Sequence, residues 1–278
     1  MVIVMERMAD LHTHSSASDG QYTPDELVQR AKDKEIEILS ITDHDTVDGL
    51  NAAEKAATKA GILLLRGVEL GAMEHKNLHL LGYHFSEDAS NIKALCTVKQ
   101  KNKELRNRRM IEFLRSKGID LALEEVADIA GGTNISRPHF AQLMVKKGFV
   151  STVREAFDRY LDTKEYDSIR VAKISARDCL DAVKADGGVV SLAHPYQLGY
   201  DDEMLRETVK KLADRGLDAI ECFYPKHTTE QTAFYLKLAR DFGLHVTGGS
   251  DFHGESVKPD VEMARVALDL AWIGIDPA

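Results

Sequence analysis

The chain has 278 residues, 44% of them hydrophobic, and a formal net charge of −9. That length suits one large α/β barrel or two modest domains, and the acidic balance excludes a broad basic surface for duplex DNA. The longest apolar runs, such as residues 62–65, are far too short to span a membrane.

The opening MVIVMERMADLHTH lacks a charged leader and a small-residue cleavage site, so it reads as a first strand and the expected location is cytoplasmic. Residues 8–14 alternate as that strand. Thr23, Pro24 and Glu26 mark a helix start with a capping box, and the helix runs to about Lys34. Residues 36–42 form the next strand. The alanine-rich stretch 48–60 is a helix stopped by Gly61, and 62–70 and 78–85 are strands. Helical periodicity then takes over, with one long helix at 91–117 closed by Gly118 and shorter ones at 123–130, 137–147 and 152–161. Alternation resumes with helix 175–185, strand 189–193, helix 202–215, strand 219–223, helix 228–242 and strand 245–247. The expected organisation is a barrel domain of residues 1–85 and 172–278 interrupted by a helical insertion at 86–171. Repeated β/α units place a site at the C-terminal ends of the strands.

Nine side chains with metal-binding chemistry fall mostly at those ends: His12, His14, Asp19, His44, Glu69, His79, His194, Asp251 and His253. Imidazole and carboxylate together suit divalent Mn, Fe or Zn. Nine ligands exceed the needs of one ion and fit a cluster of two or three, the kind that hydrolyses phosphate esters. Strand alternation predicts that Asp10, His12 and His14 share a face, with Asp10 supporting the two imidazoles from behind. By the same alternation His79 and His84 point to opposite faces, so at most one of them belongs to the site. Three divalent ions would add six positive charges against three ligand carboxylates, so an acidic protein can still present an electropositive site. Cys96, Cys179 and Cys222 form no CxxC motif and read as buried thiols.

These residues resemble the PHP family (polymerase and histidinol phosphatase). The resemblance rests on D-L-H-T-H-S at 10–15, S-D-G at 18–20, T-D-H-D at 42–45, G-V-E at 67–69, A-H-P at 193–195 and G-S-D-F-H at 249–253. It covers residues 8–85 and 172–260. It implies an α/β fold, a distorted (β/α)7 TIM-like barrel, with a trinuclear site. By the resemblance His12, His14, Glu69 and Asp251 hold one ion, Glu69, His79 and His194 a second, and Asp19, His44 and His253 a third. Some members carry His where this chain has Asp19, and an oxygen ligand there favours Mn or Fe over Zn.

Within the insertion, S-R-P-H-F at 136–140 looks like a segment of a PHP subgroup that includes nucleotide 3′,5′-bisphosphate phosphatases and 5′-to-3′ oligoribonucleotide exonucleases. Arg137 and His139 stand at a helix start, where backbone N–H groups and a guanidinium favour phosphate. His227 follows a strand and is a further candidate for substrate contact. Arg170 and Lys173 read as solvated charges. The run from Lys99 to Arg109 reads as a solvated helix face, with phosphate contacts to a polynucleotide as the alternative.

The expected protein is a metal-dependent phosphoesterase acting on 3′,5′-bisphosphonucleosides or the 5′ end of short single-stranded RNA. A hydroxide bridging two ions, Mn foremost, would attack phosphorus in line. No side chain in the sequence is assigned as the acid. The rival readings are a small-molecule phosphomonoesterase of the histidinol-phosphate type, an amidohydrolase-like C–N hydrolase, and a metal-binding accessory module without activity. Oligomeric state is not encoded in these motifs.

Overall fold

Eight strands join in one sheet in the computed structural model, which describes residues 7–130, 135–168, 171 and 174–275. In chain order they are β1 (Arg7–Thr13), β2 (Ile38–Ile41), β3 (Leu63–Gly71), β4 (His79–Tyr83), β5 (Val189–Leu192), β6 (Ala219–Phe223), β7 (His245–Gly248) and β8 (Val266–Leu268). The sheet order is β7-β6-β5-β4-β3-β2-β1-β8. The far edges approach through Asp251 N–H donating to His12 O at 2.7 Å and His14 N–H donating to Phe252 O at 2.9 Å, which brings the barrel close to closure.

Two strands depart from the expected parallel repeat. β4 is antiparallel to both β3 and β5, and β8, which the sequence pattern did not reveal, is antiparallel to β1. The first departure follows from chain length. Only residues 72–78 join β3 to β4, and a parallel return needs a crossover of about a dozen residues or more.

Helices α1 (Pro24–Asp33), α2 (Leu50–Ala60), α8 (Ala176–Ala185), α9 (Asp202–Ala213) and α10 (Thr229–Phe242) cover the outside. The expected box is present on α1: Thr23 Oγ1 accepts from Glu26 N–H and Thr23 N–H donates to Glu26 Oε2. Such a cap stabilises a helix by about 1 kcal/mol. Outward strand residues Leu39, Ile41, Val68, Leu80 and Ile220 join helix residues Leu27, Val28, Ala57, Val183 and Leu238 in one buried cluster. Burial of each large aliphatic side chain contributes roughly 1.5–3 kcal/mol. Inside, Leu11, Ile38, Leu65, Leu81 and Tyr83 fill one end of the barrel. Above them the Ser191 and Thr247 hydroxyls pair at 2.7 Å, and Tyr83 OH donates to Leu11 O at 2.8 Å. This filling makes the barrel a packed scaffold that holds a polar site at one rim.

The chain divides into two compact units, residues 1–96 with 174–278, and residues 97–173. Helix α3 (Ser90–Ser116) contains the point of division. The second unit continues with α4 (Leu123–Ala130), α5 (Arg137–Lys146), α6 (Val153–Ala156), a π-helical turn at Phe157–Leu161 and α7 (Lys164–Ser168). Met110, Leu114, Phe140, Leu143, Met144 and Leu161 form its core. Arg106 does not belong to a solvated face, because its guanidinium donates to Ile135 O at 2.7 Å beside buried Asn107. Among the described residues no helix is long and apolar enough to cross a membrane.

Candidate metal centre

All nine predicted ligand residues meet at one rim of the barrel. Their ligand atoms form three groups, each spanning no more than 4.8 Å: His12, His14, Glu69 and Asp251; His14, Asp19, His44 and His253; and His44, Glu69 and His79. His194 joins them through its Nε2, 3.0 Å from Glu69 Oε1. The third group thus contains His44 where the family resemblance implied His194. The reversed direction of β4 explains His79: it begins its strand, and a strand running the other way begins at the rim where its neighbours end.

Glu69 stands at the centre and is fully buried. Its Oε1 faces His79 Nδ1 at 2.7 Å and His194 Nε2 at 3.0 Å. Its Oε2 faces His12 Nε2 at 3.3 Å, His14 Nε2 at 3.1 Å and His44 Nδ1 at 3.1 Å. Gly67, two residues earlier on the same inward face, has no room for a Cβ against Ser40 Oγ, so the strand packs tightly here.

A register shift between Asp10 and Thr13 interrupts the alternation of β1. Such a shift re-aims side chains. Asp10 pairs with Leu39, and its carboxylate accepts from Ser250 N–H at 2.9 Å, Ser250 Oγ at 2.6 Å and Ala264 N–H at 2.8 Å. Among the described imidazole-bearing residues, Asp10 accepts a hydrogen bond only from the His12 backbone N–H, at 3.3 Å. The expectation that Asp10 supports the imidazoles of His12 and His14 is therefore corrected: Asp10 ties β1 to the last barrel segments. Burial, partly offset by the Ser250 and Ala264 bonds, pushes its carboxyl up to about 6.

The group that does orient His12 is Glu221 on β6, which the sequence reading missed. His12 Nδ1 donates to Glu221 Oε1 at 3.1 Å, which turns Nε2 toward Glu69, and His194 N–H donates to Glu221 Oε2 at 2.6 Å. The signal was present: a lone carboxylate in the apolar strand Ala219–Phe223 is costly to bury without partners. Asp43, from the expected T-D-H-D cluster, accepts from Ser15 N–H, Ser15 Oγ and Ser18 Oγ at 2.6–2.7 Å. It thereby fixes the loop that carries Asp19.

Two candidate ligands adopt left-handed backbone, Asp251 at φ 57° and His194 at φ 25°. That conformation costs roughly 1–2 kcal/mol in a residue with a side chain. Gly249 makes the approach of this segment possible, since a Cβ there would lie 2.4 Å from His12 Cβ and 2.5 Å from His12 N. Gly249→Ala is expected to destabilise the protein by about 2–3 kcal/mol in urea unfolding. Wild-type stability in that variant would mean the two segments need not pack so closely.

The donor set fits divalent ions. His12 Nε2, both ring nitrogens of His14 and Glu69 Oε2 are buried with no hydrogen-bond partner of good geometry. Buried polar atoms left in this way require another partner. The charges agree. Burial opposes a proton on His14, but the Asp251 and Glu69 carboxylates outweigh it and lift the group to about 9. His12 is likewise raised against burial, by Glu221, Glu69 and Asp251. Burial works to raise Glu69 and Asp251, yet the facing imidazoles hold both carboxyls well below their ordinary range. Burial and the neighbouring His14 push His44 down to about 4 and His253 down to about 3. A buried set of this kind attracts cations, and divalent ions would displace its protons. His12, His14, Glu69 and Asp251 are buried, whereas Asp19 and His44 are each 28% exposed and His79 22%, so the mouth lies on their side.

The predicted substrate residues are divided between the two units. Arg137 is in the helical unit, where Nη1 donates to Asp162 Oδ1 at 2.6 Å and Leu161 O at 3.2 Å. His139 Nδ1 accepts from Ser136 N–H at 3.2 Å. His227, in the barrel unit, packs among Tyr196, Tyr224 and Tyr235 with ring centroids 4.8–5.4 Å apart. Its Nδ1 donates to Cys222 O at 3.0 Å. Arg170 and Lys173 lie outside the described residues.

The chain is similar to known proteins over most of its length. The PHP domain matches residues 10–171. A 5′-3′ exoribonuclease of Haemophilus influenzae is 32% identical over 90% of this chain and 91% of its own. A phosphoribosyl 1,2-cyclic phosphate 1,2-diphosphodiesterase of Eggerthella lenta is 30% identical, over 88% and 94%. A 3′,5′-nucleoside bisphosphate phosphatase of Chromobacterium violaceum is 28% identical, over 88% and 86%. Among solved structures, a protein of Bifidobacterium adolescentis assigned as a metal-dependent phosphoesterase is 30% identical, covers 96% of each chain and has a TM-score of 0.70. The matched segment and the full-length similarity place this chain in the PHP family.

Proposed function

We propose that this protein is a metal-dependent phosphoesterase that removes phosphate from nucleotides, either 3′,5′-bisphosphonucleosides or the 5′ end of short single-stranded RNA. The observation that carries the reading is Glu69, a buried carboxylate whose two oxygens face different sets of imidazoles. A carboxylate so surrounded can bridge two ions. In this reading His12, His14, Asp19, His44, Glu69, His79, His194, Asp251 and His253 hold two or three divalent ions, Mn foremost, with Fe or Zn as the other occupants. Bound there, the ions supply an activated water and positive charge against the phosphoryl oxygens.

The chain's own residues do the rest. Glu221 fixes the ring of His12, and Asp43 fixes the loop of Asp19. Strained backbone at His194 and Asp251 turns both side chains to the centre. The buried side of the cluster excludes bulk water, which strengthens every charge interaction inside. Arg137 and His139, from the helical segment at 86–171, bind a second phosphate of the substrate, and His227 contributes a contact beside the barrel rim. Cys96, Cys179 and Cys222 are all buried, and the proposed site of action is the cytoplasm.

Arg137→Ala is expected to raise KM for 3′,5′-bisphosphoadenosine roughly 10–100-fold, the loss of a charged hydrogen bond, with far less effect on AMP. Equal effects on both would remove the assigned role. The reading as a whole is tested by phosphate release from 3′,5′-bisphosphoadenosine, AMP, histidinol phosphate and a 5′-phosphorylated RNA oligomer, using Mn-loaded protein. Preference for the bisphosphate or the RNA supports it. Failure on all four with metal bound would overturn the substrate class. The Eggerthella relative's name gives a reason to add a cyclic phosphodiester to the panel.

A further inference from the structure

The two oxygens of Asp251 have different surroundings. Oδ1 faces the imidazoles, 3.3 Å from His14 Nε2, 3.6 Å from His12 Nε2 and 3.4 Å from His253 Nδ1. Oδ2 accepts from Tyr224 OH at 3.0 Å and from Lys258 Nζ at 2.7 Å. A neutral phenol is enough to fix the orientation of a ligand carboxylate. An ammonium is a different matter, because its charge opposes any cation bound on the other side of the same carboxylate. Among the described residues, Lys258 is the ammonium or guanidinium that pairs with a member of the nine. Its presence needs a reason beyond orientation, and an anionic partner is the natural one.

Lys258 is also firmly held. It sits in the segment joining β7 to β8, where Val257 N–H and Lys258 N–H both donate to Gly254 O, at 3.1 and 2.9 Å, and Val261 N–H donates to Lys258 O at 3.1 Å. Ser256 donates to Gln21 Oε1 through its N–H at 2.9 Å and its hydroxyl at 2.8 Å. Glu255 accepts from Tyr22 OH at 2.6 Å and Arg30 Nη1 at 3.0 Å. The lysine is therefore delivered by a braced turn, and its side chain remains 31% exposed beside the buried Asp251. An ammonium with three donors spends one on Asp251 Oδ2 and keeps others for a second acceptor.

The geometry points to Lys258 as a substrate-binding residue whose ammonium, braced on Asp251 Oδ2, engages a phosphoryl oxygen of the ester held at the cluster. This rests on the phosphoesterase reading above. Tyr224 keeps Asp251 in place while the ammonium is shared between carboxylate and phosphate. No bond to Lys258 forms or breaks. It is an electrostatic contact that strengthens as negative charge gathers on the phosphoryl oxygens.

The test uses full-length Mn-loaded wild type, Lys258→Met and Lys258→Arg, with inorganic phosphate as probe in calorimetric titrations. Metal content by mass spectrometry and turnover of 3′,5′-bisphosphoadenosine are measured alongside. Lys258→Met should keep its metal and its Tm, bind phosphate at least about tenfold more weakly and lose kcat/KM by a similar factor or more. Lys258→Arg should recover most of both, since it restores the charge. Two results would overturn the proposal: wild-type phosphate affinity in Lys258→Met, or loss of bound metal in that variant, which would reduce Lys258 to a support for Asp251. Failure of the wild type on every ester is a separate outcome. It would sink the phosphoesterase reading and this inference with it, whereas an active wild type with an unaffected Lys258→Met sinks this inference alone.

Discussion

Glu69→Gln is expected to abolish phosphate release, by at least about 10³-fold in kcat, and to strip most of the bound metal while the barrel stays folded. The reasoning starts from the two oxygens. Oε1 lies against His79 and His194, and Oε2 against His12, His14 and His44. Glutamine keeps the shape of the side chain but removes its charge and turns one oxygen into an NH2 group. That group cannot ligate, so both sets of imidazoles lose the shared anion and one set also loses its oxygen, whichever way the amide lies. The change also touches the metal-free protein. His12 and His14 are held in their charged forms by Glu69 together with Asp251, and His12 also by Glu221. Without Glu69 both should release protons more readily. Metal analysis, circular dichroism and phosphate release on one preparation decide the matter. A folded Glu69→Gln protein with full metal and wild-type turnover would end the bridging assignment.

Most of this site was legible in the sequence because barrel geometry turns strand ends into neighbours. His12, His44, His194 and Asp251 are far apart in the chain, yet each lies near or just beyond the end of a predicted strand, and parallel strands deliver their ends to one rim. What escaped was direction and register. Period-two alternation says which face a residue is on and nothing about which way its strand runs, so His79 fitted the site without the reversal of β4 being read from the pattern. The short connection at 72–78 was the clue. Asp10 was misassigned for a related reason. Alternation holds only while the ladder is regular, and the shift between Asp10 and Thr13 sends Asp10 to Ser250 while His12 turns inward. β8 is three residues long, too short for a periodic signal. Tyr224 and Lys258 carry no motif at all, and only the fold brings them to Asp251.

The residue most completely hidden was Glu221, and it supports the second large effect. Glu221→Gln should weaken metal binding by about 10–100-fold, the usual consequence of removing a carboxylate that orients a ligating imidazole. Both oxygens of Glu221 are acceptors, one for His12 Nδ1 and one for His194 N–H. Glutamine offers one acceptor and one donor group, so one of those N–H groups must face an NH2 group in a fully buried place. The unmet donor should cost about 1–3 kcal/mol in the metal-free protein, seen as a lower urea midpoint. Catalysis should respond differently from the Glu69 variant. The cluster keeps every ligand, so excess Mn should restore a large part of kcat in Glu221→Gln and none in Glu69→Gln. An activity titration against free Mn separates the two cases. An unchanged Mn midpoint in Glu221→Gln would mean that His12 is held by its backbone alone, and that the buried carboxylate on β6 serves only to close the barrel.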